Sequence, residues 1–291
     1  MISDITLGQY FPGKSPIHRL DPRTKIIIAI AFIVGIFMAD TVAALLLVTA
    51  ATLILVAVSK ISFKVILKGL KPIIFILIFT SVLNILMTKG TSEPLVSFWV
   101  ITIYYEGIIR AFFMAYRVVV LIIVTSMFLT YTTSPISLTD GIESLLKPLK
   151  LIKVPVHVFA MMMTIALRFI PTLIEETEKI MNAQKSRGAD FSSGGLIKRA
   201  KALIPILIPL LVSSFKRAEE LAVAMECRCY RGDKNRTKLV KLTYKFVDLR
   251  WIIYTAVILA SVILLRFVSV PEEIGNDVLS KILKVLIYRL Q

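Results

Sequence analysis

The chain has 291 residues, 57% of them hydrophobic, with a net charge of +16 and a mean hydropathy of +0.81. Soluble globular chains are roughly 45–50% apolar, so a water-solvated globule is excluded and most of this chain is solvated by lipid. In so apolar a chain the surplus of Lys and Arg marks the cytoplasmic side of a bilayer, and no nucleic acid is expected as a partner.

Residues 1–20 lack a continuous apolar run, so no cleavable leader is expected. Asp21 followed by Pro22 predicts an N-cap and first turn. A first span follows over the apolar run 26–39, and Asp40 marks the turn into a second over 42–58. Further runs at 73–87, 111–131 and 251–270 bring the expected spans to five. Arg19, Arg23 and Lys25 precede the first span and Lys60, Lys64, Lys68 and Lys71 follow the second, which places the N-terminus inside. The stretch 89–110 carries Phe98, Trp99, Tyr104 and Tyr105 with Glu93 and Glu106, the composition of an outer interfacial belt.

Two shorter runs, 154–170 and 202–212, are interrupted by Pro155, Pro171, Pro205 and Pro209. Crossing with both would carry Lys179, Lys185, Arg187, Lys198, Arg199 and Lys201 outside, so both are expected at the cytoplasmic interface. Ser137 to Asp140 reads as a capping box opening a short helix before them. The last amphipathic stretch, 278–290, with Lys281, Lys284 and Arg289, is expected to lie in the interface. The expected class is an all-α integral membrane protein with a cytoplasmic coupling domain. Its parts are a membrane domain at 1–135, the coupling domain at 136–250, and a last span with an amphipathic tail at 251–291.

Each short run continues as a charged helix with apolar or small residues spaced three and four apart. One seam is Ile170, Leu173, Thr177, Ile180 and Gln184; the other is Ile208, Leu211, Phe215, Ala218, Ala222, Met225 and Cys229. Such repeats are packing stripes, so the two long helices are expected to lie against each other or against neighbouring helices. A shift of 41 residues aligns Ala183-Gln184-Lys185-Ser186-Arg187-Gly188 with Ala224-Met225-Glu226-Cys227-Arg228-Cys229. Small neighbours leave each guanidinium uncrowded, and its fork of donors suits a carboxylate or the carbonyls of a partner's helix end. The plain alternative is an arginine answering the macrodipole of its own helix.

Gly8-Gln9-Tyr10, Leu20-Asp21-Pro22-Arg23-Thr24-Lys25, Ala166-Leu167-Arg168-Phe169-Ile170-Pro171 and the two arginine elements occur in that order. The chain thereby resembles the transmembrane T component of energy-coupling factor (ECF) vitamin importers, over nearly its whole length. The resemblance implies a non-hydrolysing scaffold, with two ATPase subunits and a membrane-embedded substrate-binding S component as partners. It puts ATP on the ATPases and gives this chain no cofactor. The family's paired Ala-Arg-Gly motifs fall on Ser186-Arg187-Gly188 and Cys227-Arg228-Cys229, with Ala183 and Ala224 giving clearance.

Five other readings are weighed against this one. Gly8 to Ser15 fits the P-loop pattern, but Pro16 and Pro22 bracket an irregular stretch with no strand–loop–helix context for a phosphate cradle. Cys227 and Cys229 with His18 and His157 lack the close spacing of a zinc site, so no metal is expected; the thiols suit a reducing compartment. Arg117, deep in the fourth span with Arg110 on its face, is an intramembrane charge with either a partner-facing role or a local bundle contact. An autonomous secondary transporter would show inverted repeats and mid-membrane acids, and a membrane-anchored enzyme or regulator a nucleophile–base or metal cluster; neither pattern is present.

Overall fold

The structure, a computed structural model, describes residues 10–88, 96–98, 101–189, 191, 195–232 and 242–268. The described residues are overwhelmingly helical: α1 (Pro22–Met38), α2 (Val42–Ser59), α3 (Phe63–Leu70), α4 (Ile74–Met87), α5 (Tyr105–Thr125), α6 (Pro135–Leu145), α7 (Val156–Ser186), α8 (Leu196–Cys227) and α9 (Phe246–Val268). A short antiparallel pair, β1 (Val96–Phe98) and β2 (Ile101–Ile103), sets Val96 opposite Ile103. The all-α membrane class expected from composition is the one adopted. Two compact units are present: Tyr10–Ser134 with the chain from Leu242 onward, and Pro135–Lys241.

In the first unit α1 packs against α5 and α9, α2 against α9 and α5, and α4 against α5. Ile28, Phe32, Ile36, Leu45, Val48, Leu55, Val124, Phe128 and Val262 form its core. α4 buries none of its own residues, and Phe75 and Met87 are 77% and 76% exposed, as side chains solvated by acyl chains are.

The start of α1 is latched by polar contacts. Asp21 caps it, its carboxylate accepting from the Arg23 amide at 2.9 Å. The Asp21 amide in turn donates to Asp248 Oδ1 at 2.8 Å, and the Lys245 amide to Asp248 Oδ2 at 2.7 Å. Lys25 Nζ donates to the carbonyls of Thr132, at 2.6 Å, and His18, at 3.3 Å. The charged side chains of Asp21, Lys25 and Asp248 are all buried, so α9, α1 and the π-helical turn after α5 (Ser126–Tyr131) are tied at one level.

Five helical stretches are long and apolar enough to cross a bilayer: Val42–Ser59, Phe63–Met87, Tyr105–Tyr131, Val156–Ser186 and Phe246–Phe267. The number matches the expectation, but the set differs. α1, at 17 residues, is at the short end of the roughly 17–25 that a span takes. The run at 154–170, expected to stop at the interface, is instead part of the 31-residue α7, which continues through Pro171. α8 likewise runs for 32 residues through Pro205 and Pro209. An internal proline removes one hydrogen bond and bends a helix, and here packing of α7 against α6 and α8 sustains both helices past it. The capping box also shifts: α6 already begins at Pro135, whose fixed φ suits a first turn, so Ser137 lies inside the helix. The amphipathic stretch at 278–290 and Trp99 lie outside the described residues.

Close packing leaves no room for a Cβ at Gly69. A Cβ on Gly69 would fall 2.2 Å from the Tyr131 hydroxyl, and Tyr131 is fully buried. Gly69→Ala is expected to lower stability by about 1–3 kcal/mol, read as a drop in thermal midpoint of the purified chain, and Gly69→Ala with Tyr131→Phe to recover part of it.

Candidate functional site: two matched helix ends

In the second unit α7 packs against α6 and α8. Buried His157 on α7 contacts Glu143 on α6 through Nδ1 at 3.0 Å. Glu176 on α7 accepts from Ser213 Oγ and from Arg217 Nη2 on α8, both at 2.5 Å.

The face of α8 turned toward α7 is not the seam expected from spacing. Ile206, Leu210, Ser213, Ser214, Arg217, Leu221 and Met225 are the shielded positions, whereas Ile208, Leu211, Phe215, Ala218 and Ala222 are exposed. Phe215 is 69% exposed and Val212 63%. The reason is chemical: the charged Arg217 and the hydroxyl of Ser213 both reach Glu176, and this polar clasp sets the rotation of the helix. The α7 seam, Ile170, Leu173, Thr177, Ile180 and Gln184, is half-buried as expected.

Both helices end in the same way. Arg187 is the C-cap of α7 and Gly188 takes φ +87°, with the Ala189 amide donating to Gln184 O at 3.0 Å and the Gly188 amide to Lys185 O at 2.9 Å. Arg228 is the C-cap of α8 and Cys229 takes φ +56°, with the Tyr230 amide donating to Met225 O at 3.1 Å and the Cys229 amide to Glu226 O at 2.8 Å. This pair of bonds is the Schellman arrangement, which satisfies the last carbonyls through a left-handed residue after the cap. Small residues at 188 and 229 therefore answer a backbone demand as well as leaving room beside the arginine.

All eight candidate residues, Ala183, Ser186, Arg187, Gly188, Ala224, Cys227, Arg228 and Cys229, are exposed. Neither arginine has a side-chain partner among the described residues. The clasp that joins the helices links positions 41 apart, the offset that relates the two arginine elements. Arg187 stands eleven residues past Glu176 and Arg228 eleven past Arg217, about 16 Å along each helix. Two arms of equal length thus present equal ends.

A glycine is easier than a cysteine at a left-handed φ. Cys229→Gly is expected to stabilise the end of α8 by roughly 1 kcal/mol, detectable as slower amide hydrogen exchange over residues 225–230.

Arg117 resolves differently. Its Nη2 donates to Ala39 O at 2.8 Å and to Asp40 Oδ1 at 3.4 Å, and Arg266 Nη2 reaches Asp40 Oδ2 at 3.6 Å. The intramembrane arginine thus closes the α1–α2 turn within its own unit. Asp248 and Glu176 were not singled out from sequence, and Lys25 entered only as an orienting charge and part of a motif; the one available signal was a charged residue close to a long apolar run.

The helices and their two matched ends define a multi-pass membrane protein that carries a pair of exposed, arginine-bearing helix ends. A model of the cobalt transport protein family, CbiQ, matches residues 13–239. The chain is 55% identical over 268 residues to a protein of Ruminiclostridium cellulolyticum named energy-coupling factor transporter transmembrane protein EcfT, covering 92% of this chain and 99% of that one. Proteins of the same name in Clostridium kluyveri and Bacillus subtilis are 57% and 48% identical, over 83% and 91% of this chain and 89% and 100% of theirs. The chain belongs to this family of transmembrane components of energy-coupling factor transporters.

Proposed function

We propose that this chain is the scaffold subunit of an ATP-driven micronutrient importer of the vitamin-transporting ECF type, in a bacterial cell membrane with its N-terminus in the cytoplasm. Two ATPase subunits dock on it, one at Arg187 and one at Arg228, and bind and hydrolyse the ATP. The observation that carries this reading is the pair of geometrically equivalent, exposed arginine ends set equidistant from the Glu176–Arg217 clasp. Two like engines need two like sockets, and nucleotide-driven approach of the engines would change the angle between the arms.

The exposed apolar stripe on α8, from Leu203 through Leu207, Leu211 and Phe215, supports a second partner. Contiguous apolar surface of this kind marks contact with another protein or with lipid. A membrane-embedded S component that holds the substrate fits it, since its own surface is apolar. Motion of α8 under the ATPases would then tilt the S component and open its site to the cytoplasm.

Reconstitution tests the reading against an autonomous secondary transporter. In liposomes the chain alone is expected to move no solute, and uptake to require ATPases, an S component and ATP together. Solute movement by the chain alone, driven by an ion gradient, would favour the other class.

A further inference from the structure

One cavity has no part in this scheme. It measures about 330 Å³, lies within the unit that holds α1 and α2, and is walled by residues 11–16, 18, 59–62 and 65. Lys14, Lys60 and Ser62 line it, and among the described residues no carboxylate does.

The walls are built. His18 Nε2–H donates to Phe11 O at 2.9 Å, which leaves Nδ1 to accept from Ser15 Oγ at 2.6 Å, and Ser15 is buried. Burial pulls the His18 pKa below its usual value, so this neutral ring persists at neutral pH. A Cβ on Gly13 would come within 2.7 Å of the ring, so the loop closes on His18 only with glycine there. On the other wall Lys60 ends α2 at φ +58°, and Ser62, the N-cap of α3, makes no capping bond with its hydroxyl.

Gly13-Lys14-Ser15 is the end of the P-loop-like string, yet a turn follows it and α1 starts only at Pro22, so no nucleotide cradle forms. Lys14 is nonetheless delivered to a cavity whose opposite wall carries a second lysine. The cavity also sits at the level where α1 begins and α2 ends, which is where apolar spans meet the headgroup layer. Lys64 and Lys68 lie just beyond it on α3.

We infer that this cavity binds the phosphate ester of an anionic phospholipid headgroup, with Lys14 and Lys60 on the phosphate and Ser62 donating a hydrogen bond. The volume suits a phosphoglycerol group better than a bare phosphate, and Phe11 and Val65 supply an apolar wall for the start of the acyl chains. The same phosphate chemistry occurs in soluble esters, and the membrane-level position favours lipid as the source.

The test uses the full chain in nanodiscs of phosphatidylcholine with increasing phosphatidylglycerol, the retained lipid being counted by native mass spectrometry. Lys14→Gln with Lys60→Asn is expected to weaken retention about thirtyfold, from roughly one screened phosphate contact per lysine. Ser62→Phe, which fills the cavity and leaves the charge unchanged, should weaken it comparably. Lys64→Gln with Lys68→Gln should change it less than about threefold, as diffuse surface charge does. Equal losses from cavity and surface variants, or none from Ser62→Phe, would overturn the site. Displacement of the lipid by millimolar glycerol 3-phosphate would overturn the lipid assignment and give the cavity to a soluble ester.

Discussion

The chain carrying Arg187→Glu and Arg228→Glu together is expected to insert normally, to lose both ATPase subunits on purification, and to support no uptake. Each guanidinium offers charge-assisted hydrogen bonds of roughly 1.5–3 kcal/mol. Losing two such anchors weakens assembly by about two to four orders of magnitude before repulsion from the new carboxylates is counted. Folding should be spared, because both side chains are exposed and neither has a partner among the described residues. Co-purification, measured beside the level of the chain in membranes, separates a docking defect from a folding defect. Arg→Lys at both positions keeps the charge but loses the fork, and should retain partial assembly if bidentate contact matters.

Asp248→Ala is expected to produce the largest stability loss of any single change in the membrane unit. The carboxylate is 1% exposed and accepts from the amides of Asp21 and Lys245; once it is gone the Asp21 amide is left buried and unsatisfied and the part-buried Lys245 amide loses its partner. Removing one side of such a buried arrangement costs about 3 kcal/mol. The contact joins positions 227 apart in sequence, so the loss should appear as detachment of α9 from α1: a lower thermal midpoint in detergent and faster proteolysis between 232 and 246. Asp248→Asn retains an acceptor and should recover part of the stability. A variant as stable as the parent would show that the latch is dispensable.

Much of this was legible in the sequence because lipid imposes strong patterns. Long apolar runs mark four of the five candidate spans, and Asp21-Pro22 and Gly188 mark a helix start and a helix stop for reasons of backbone geometry alone. The paired arginine elements were visible as a repeat, and the structure shows each at a Schellman end. Proline misled, because its local preference against helix interiors is overridden when neighbouring helices hold the chain, as at Pro171, Pro205 and Pro209. The α8 seam misled for a related reason: both faces of this helix carry apolar residues, so spacing cannot tell the packed stripe from the exposed one. What decided was the Glu176–Arg217 clasp, a pairing between residues of ordinary surface type that no local pattern singles out.

The central claim can be tested with residues already in place, since the chain's two cysteines, Cys227 and Cys229, flank Arg228 and are both exposed. A membrane-impermeant maleimide should label them in inside-out vesicles stripped of ATPase subunits. It should fail to label them in intact cells, and again in inside-out vesicles once the ATPases are bound. Labelling from the outer side, or equal labelling with and without the ATPases, would contradict a docking role for this helix end.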